Sequence, residues 1–336
     1  MKIHYLSCHS VLEYDEVKLL TELGHEVHSN GAYRDPKGAY TLPRPGIPGM
    51  KFDQSFFDLT ALHPKTDLPP EMIEPYDVLI FMAGDHNAPL IQNWEKIKHK
   101  RVILRTIGQN TGASENALQR LVVEGLEIIR YSPKERNIPN FAGQTNMIRF
   151  YKDDNELNNW NGEHNRPVTF AQSLKGRASH CHYEEVVGAM IDFKDAKIYG
   201  PGNNDLEELN GGEMDYEVLK KIMRDSRVFV SAGTWPASYT LSFMEAFITG
   251  TPIVTISKEL AHIRDYESID FYEVDEIITN GVDGFVCNSI PEMRTRISQL
   301  LADHDLARKI SANARKKAIE VFGKEKIKQQ WKSFLG

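Results

Sequence analysis

Short apolar runs with β character alternate along the chain with stretches whose apolar residues recur every three or four positions. MKIHYLS (1–7), HEVHS (25–29), DVLIFMAG (77–84), RVILRTI (101–107) and LEIIRYS (126–132) read as strands, with helices predicted over 10–23 and about 114–124. Such alternation builds βα units and a parallel sheet. Ser10 with Glu13 predicts a capping box for the first helix, which Gly24 ends. From Ala32 to Pro70 the chain is rich in Pro and Gly, an irregular excursion of a length that is more often functional than idle. YKDDNELNNWNGEHNRP (151–167) has few aliphatic residues and closes in Pro167, which predicts a linker. A second alternation follows: VTFAQS (168–173), a helix near 181–192, AKIYG (196–200), a helix near 214–225, RVFVSAG (227–233), a helix entered near Ser238, and TPIVTIS (251–257). From Ile290 to Leu335 the pattern is almost entirely helical and turns basic near its end.

Two α/β halves in succession, each a doubly wound Rossmann-like domain, predict a cleft between the carboxyl ends of two sheets, where open α/β folds bind ligands. Composition narrows the picture. Apolar residues at 41% and charged residues at 26% exclude a disordered or fibrous chain. A formal charge of −7 gives no general attraction to nucleic acid or anionic membrane, so polyanion binding needs a local patch. Cys8, Cys181 and Cys287 are too few and too scattered for a disulfide framework, which points to a reducing compartment. The first ten residues lack the apolar core of a signal peptide, and a cytoplasmic protein is expected.

Candidate chemistry gathers after the strands of the second half. QSLKGRAS (172–179) places Lys175 and Arg177 around Gly176, cations suited to a diphosphate, although a solvated basic turn is the commoner use of such a segment. YGPGNND (199–205) puts Gly200 and Gly202 after the next strand, where they serve either a ligand or a tight turn. SAGTWPASYT (231–240) leads into a helix whose free N–H groups form an anion site, and this involves Thr234, Ala237, Ser238, Tyr239, Thr240 and Leu241. In SYTLSFMEAFITGTPIV (238–254), Glu245 is the lone carboxylate, about two turns into an otherwise apolar helix. A buried carboxylate requires donors, and a ribose diol supplies two; a Glu that reaches solvent or pairs with Lys or Arg is the alternative. The segment ASHCHYEE suggests zinc only weakly, because adjacent residues on a helix point in different directions, and no metal is expected.

SFMEAFITGTPIVT, NGVDGFVCNS (280–289) and the closing ARKKAIEVFGKEKIKQQWKSFL (314–335), in that order, resemble the retaining GT-B glycosyltransferases of family 4. The resemblance covers about 168–335 and implies two Rossmann-like domains facing across a cleft. It places the acceptor-side domain at 1–160, the donor domain at 161–319, and a terminal helix, about 320–336, returning to the first. It implies that Glu245 holds the ribose of a UDP- or GDP-linked sugar, that Lys175 and Arg177 grip its diphosphate, and that Gly200 and Gly202 face the nucleotide. No permanently bound cofactor and no metal is required.

Two departures stand out. The first Glu of the family's E-x7-E motif falls on Ala237, and the usual pocket His after the RVILRTI strand is replaced by Gly108 and Gln109. His86 and His9 are the remaining candidates for the catalytic pocket. The expected function is transfer of a sugar, with retention, to a hydroxyl acceptor. The alternatives are an inactive nucleotide-binding protein of the same fold and a nucleotide-sugar epimerase or hydrolase. The acceptor is open among a small molecule, a glycan, a lipid and a modified nucleic acid. KIKHKR (96–101) reads as a weak membrane or nucleic-acid contact or, more commonly, as a solvated helix end.

Overall fold

The alternation resolves into two parallel sheets in a computed structural model that describes residues 1–7, 9–29, 33, 47, 67–83, 87–108, 110–261 and 270–336. The chain divides into two units, Met1–Phe150 with Ile327–Gly336, and Tyr151–Lys326. In the first unit, β1 (Lys2–Ser7), β2 (Glu26–Ser29), β3 (Val78–Ala83), β4 (Arg101–Thr106), β5 (Glu127–Arg130) and β6 (Asn146–Met147) lie in the order β2-β1-β3-β4-β5-β6. The helices α1 (Ser10–Glu22), α2 (Ala88–Ile97) and α3 (Gly112–Val123) cross between them. Strands covered on both faces carry near-continuous apolar runs, and Leu79, Ile80, Ile103 and Leu104 are fully buried.

In the second unit, β7 (His164–Phe170), β8 (Lys197–Tyr199), β9 (Asn210–Gly212), β10 (Ser226–Ser231), β11 (Ile253–Ile256) and β12 (Phe285–Cys287) take the order β12-β11-β10-β7-β8-β9. This is the doubly wound order of dinucleotide-binding folds, with its reversal between β7 and β10. The connecting helices are α4 (Ala178–Cys181), α5 (Tyr183–Met190), α6 (Tyr216–Asp225), α7 (Leu241–Thr249) and α8 (Val274–Ile277). They are followed by α9 (Ile290–Ala302), α10 (His304–Phe322) and α11 (Lys324–Leu335), whose last turns belong to the first unit.

Several local expectations need correction. Helix α1 starts at Ser10 itself, because His9 is the extended residue before it; the Glu13 N–H therefore bonds to the His9 carbonyl and no box forms there. Capping boxes form instead at Thr111 with Ser114 and at Ser132 with Glu135. The 151–167 stretch belongs to the second unit, and Pro167 lies within β7, opposite Val228 at a register shift between Ser226 and Val228. A proline has no N–H to donate, and an irregular register is where a sheet tolerates one. The helix near 181–192 is broken at His182, which takes a left-handed conformation between α4 and α5. The KIKHKR cations are met by acids: Lys96 by Asp67, Lys98 by Glu95 and Glu124, Lys100 by Glu74 and Arg101 by Glu127. That cluster is a neutralised helix end. Most of the excursion between Ala32 and Pro70 lies outside the described residues. No described helix is long and apolar enough to cross a membrane.

Charge is buried in the first unit, always in company. Arg105 donates to Glu16 at 2.8 Å and to the Ile148 carbonyl at 2.6 Å, while Tyr5 donates to the same carboxylate. The Arg105 guanidinium covers the Phe150 ring at 4.1 Å and approaches the ring of Trp331, from α11, at 5.9 Å. Removing one member of such a set leaves an uncompensated charge, which costs about 3–5 kcal/mol. Beneath the carboxyl ends of β4 and β5, Arg130 grips Glu115 through two bonds of 2.6 and 2.7 Å, and Asn110 and the Ala142 N–H complete that carboxylate. Burial pushes the Glu115 carboxyl up, but Arg130 more than offsets this and holds it below its ordinary value.

Glu135 has a different environment. Burial pushes its carboxyl up to about 7, with Arg130 at 3.7 Å, the Thr106 hydroxyl and the Tyr131 and Ser132 N–H groups offsetting only part of the rise. The folded chain thus keeps a proton that the unfolded chain releases between about pH 4.5 and 7, so this stabilising contribution is complete below that window and is lost as pH rises through it. Relative to wild type, Glu135→Gln is expected to gain up to about 1.4 kcal/mol per pH unit across the window. Urea denaturation of both proteins at several pH values checks this. His4, held down to about 4 by burial, titrates in the opposite sense in both proteins and cancels in the comparison. A difference that does not vary with pH would mean that Glu135 is not protonated in the fold.

Candidate nucleotide site in the second unit

A doubly wound sheet offers its natural ligand crevice where the strand order reverses, beyond the carboxyl ends of the two strands involved. In the second unit these are β7 and β10, so the loops at issue are 171–177 and 232–240. The second loop is tied to α4, the short helix that follows the first: the Trp235 N–H bonds to the His180 carbonyl at 2.7 Å, and the Cys181 thiol and Thr234 hydroxyl stand 3.8 Å apart. Lys175, Arg177, Thr234 and Ala237–Leu241 therefore belong to one end of one sheet, although they are up to sixty-six residues apart in sequence, from 175 to 241.

The loop after β8 locks the loop after β7 in place. A Cβ at Gly200 would stand 2.3 Å from the Ala171 carbonyl oxygen, and one at Gly202 would stand 2.2 Å from the Ser173 hydroxyl; both glycines also have positive φ. Their first role is thus close approach between two loops. Asn203, 1% exposed, completes the lock by accepting from the Leu174 N–H at 2.9 Å and donating to the carbonyls of Ala171 and Gly200 at 2.6 and 3.1 Å. Sequence reasoning passed over Asn203, although an Asn just after two glycines in a turn is the signal that marks it. Above this frame Lys175 and Arg177 are exposed, and among the described residues no acid pairs with either.

Helix α7 begins later than the sequence suggests. The Ala237 N–H closes a turn on the Thr234 carbonyl, and Thr240 is the N-cap, its hydroxyl accepting from the Phe243 N–H at 3.2 Å. The free N–H groups therefore belong to the turn starting at Leu241. Glu245 is the fifth residue of the helix, about one turn in rather than two. Ser238 is fully buried and its carbonyl accepts from Glu273; Tyr239 is buried edge-on against Phe322, with ring centroids 5.0 Å apart.

Glu245 is 4% exposed, and one of its oxygens accepts from Lys152 Nζ at 2.9 Å. Lys152, itself 2% exposed, comes from the segment read as linker and was not among the residues the sequence singled out. The Thr249 hydroxyl donates to the Glu245 carbonyl at 2.7 Å, closing that turn of helix. Burial pushes the Cys287 thiol up to about 12, which leaves it inert, and no group of three or more His, Cys, Asp or Glu among the described residues is placed to hold a metal.

In the first unit, the order reversal lies between β1 and β3. His9 follows β1 as the N-cap of α1, its N–H bonded to the Ser7 hydroxyl at 3.0 Å. His86, in the segment after β3, lies outside the described residues, as do Cys8 and Gln109. Gly108 has a positive φ, and a Cβ there would stand 2.2 Å from the Tyr131 hydroxyl. A histidine at 108 would therefore collide with Tyr131.

Because the Leu174 N–H has no other route to a partner when its loop is closed, Asn203→Ala is expected to cost about 1–3 kcal/mol. Faster hydrogen exchange at 171–175, followed by mass spectrometry, checks that the loss is local.

None of the known protein-family models matches the chain, and none of the curated protein sequences does. Solved structures do match it. Sucrose-phosphate synthase from Thermosynechococcus elongatus aligns over 100% of this chain and 98% of its own, with a TM-score of 0.66 at 15% identity. Anabaena HepE in complex with UDP and glucose aligns over 100% and 99%, with a TM-score of 0.66 at 14% identity. A glycosyltransferase from Rickettsia africae aligns over 99% and 97%, with a TM-score of 0.67 at 13% identity. At such identities the likeness is one of architecture, and the two parallel α/β units of this chain have the GT-B fold.

Proposed function

We propose that the chain is a nucleotide-sugar-dependent glycosyltransferase, with the donor bound by the second unit and a hydroxyl acceptor by the first. One observation carries the reading. At the reversal point of the second sheet, two exposed cations with no acid partner among the described residues, the start of α7 and a buried carboxylate one turn further on occur together. Cations and free N–H groups suit a diphosphate, and a carboxylate beyond them suits a ribose diol. The HepE structures that share the fold hold UDP with glucose and UDP-glucose, which supports the same class of ligand here.

In the transfer, the bond from the anomeric carbon to the diphosphate oxygen breaks, and its electron pair leaves with the diphosphate. Lys175, Arg177 and the first N–H groups of α7 stabilise that developing charge, and the N–H groups, fixed by the helix, need no reorganisation at the moment of reaction. The acceptor oxygen bonds to the same carbon and gives up its proton to an oxygen of the departing diphosphate. His9 and His86, each following one of the two strands that flank the reversal in the first sheet, are the acceptor-side groups of this scheme. Retention follows from delivery of the acceptor on the face that the leaving group vacates. No metal enters the scheme.

Ala237 favours a second reading, a protein of this fold that binds the nucleotide without turnover. Where the resemblance puts a carboxylate against the transferred sugar, Ala237 offers a methyl group. The two readings separate in one experiment. Thermal shifts with UDP, GDP, ADP and their sugar conjugates identify the base, since saturation at about 100 Kd adds about 2.7 kcal/mol to stability. Glu245→Gln is expected to abolish the selective shift. Lys175→Ala with Arg177→Ala is expected to weaken the nucleoside diphosphate at least about tenfold and leave the nucleoside unchanged. Release of free nucleoside diphosphate on adding candidate acceptors selects the transferase; binding without release selects the inactive protein. No shift with any nucleotide overturns both.

A further inference from the structure

The Lys152–Glu245 pair has a mounting that an incidental ion pair would not need. The Lys152 N–H bonds to the Phe322 carbonyl at 3.1 Å, and Lys152 bridges in parallel to Gly323, at the junction of α10 and α11. A Cβ at Gly323 would stand 2.4 Å from the carbonyl oxygen of Ile319, one turn back in the same helix, so the exit from α10 at this junction favours glycine. Just downstream, Lys324 pairs with Asp153 at 3.1 Å. Arg315 of α10 donates to the carbonyls of Asp154 and Leu157 and also to that of Ile248, near the end of α7. Phe322 meets Tyr239 and Phe243 edge-on at 5.0 and 6.2 Å, on the approach to α7 and in its first turn. The segment that carries Lys152 is thus fastened to both helices, and the helix that carries Glu245 is fastened to the first of them, α10.

A free lysine side chain loses rotamer entropy on being fixed, and a carboxylate buried alone is costly. Here the lysine backbone is pinned at three successive points, Lys152, Asp153 and Asp154, and its ammonium ends on one oxygen of Glu245. Such an arrangement sets the plane and position of a carboxylate. We propose that Lys152 is the positioning residue of Glu245, fixing the carboxylate so that it recognises a ribose diol. The inference rests on the reading of Glu245 as the ribose ligand. It adds a determinant of ribose against deoxyribose that lies outside the strand-end loops, on the segment where the chain enters the second unit.

The test uses the full chain, with UDP or GDP, whichever gives the larger thermal shift, and its 2′-deoxy counterpart, by titration calorimetry. The ratio of the two affinities is unaffected by partial unfolding, which lowers both alike. In wild type the ribonucleotide is expected to bind at least about tenfold more tightly. In Lys152→Met that preference is expected to fall within about threefold of unity, and on a Glu245→Gln background Lys152→Met is expected to change it no further, since residues acting through one group are not additive. If Lys152→Met does not fold, Lys152→Arg keeps the charge but replaces a tetrahedral head with a planar fork, and is expected to reduce the preference at least about threefold. A folded Lys152→Met, or failing that a folded Lys152→Arg, with wild-type preference overturns the inference and leaves the role of Glu245 intact. Equal affinity of wild type for both ligands overturns the ribose role and this inference with it. Binding of neither overturns the nucleotide reading.

Discussion

Parallel strands cannot be joined by a tight turn, and everything notable about this protein follows from that constraint. Each connection has to cross a face of the sheet, which makes it a helix, covers the sheet on both sides and forces the strands to be apolar throughout. Polar chemistry is then left to the strand ends. Where neighbouring connections leave in opposite directions, the loops part and a crevice opens. In the second unit this happens between β7 and β10, and Lys175, Arg177 and the start of α7 are what the topology delivers there.

Holding such loops still is a separate problem, and the chain meets it with short polar side chains directed at backbone. Asn203 bonds to three backbone groups in two loops, and Gly200 and Gly202 let those loops touch. Deeper in the first unit the same need is met with ions. Arg105 with Glu16 and Arg130 with Glu115 each satisfy nearly every donor and acceptor they bring into the interior, the condition under which buried charge is tolerable. Glu135 stands farther from Arg130, whose closest bonds go to Glu115, and burial there outweighs the cation and the neutral donors around it, raising its carboxyl to about 7.

Nine strands and most helices were legible in the sequence because period-two runs and period-3.6 runs differ wherever a face is buried, whereas β6, β9 and β12, of two or three residues each, are too short to show a period. The misses have local causes. Ser10 and Glu13 match a capping box in composition, but the extended residue is His9, and only backbone geometry decides which residue is the cap. Pro167 reads as a boundary because a proline in a strand is rare, and the register shift that accommodates it leaves no trace in sequence. The loops around Lys175, Gly200 and Thr234 were legible as strand ends. Their contact with one another was not, since neither Asn203 nor the bond from Trp235 to His180 follows from any periodicity. Lys152 was the least legible of all: a lysine in a polar stretch has no mark that distinguishes it from a solvated one, and only the fold brings it to Glu245 across ninety-three residues.

The first unit is discontinuous in sequence, and this has a consequence in time. Trp331 is fully buried, with its ring near the guanidinium of Arg105, yet it is made long after the strands of that unit. During synthesis the second unit, one continuous segment from Tyr151 to Lys326, emerges whole before the helix that completes the first. Until then the position of Trp331 beside Arg105 and Phe150 is empty, and a nascent chain passes through a stage in which its earlier half is unfinished and its later half is complete. The earliest-made unit therefore depends for its completion on a segment made after the whole of the second.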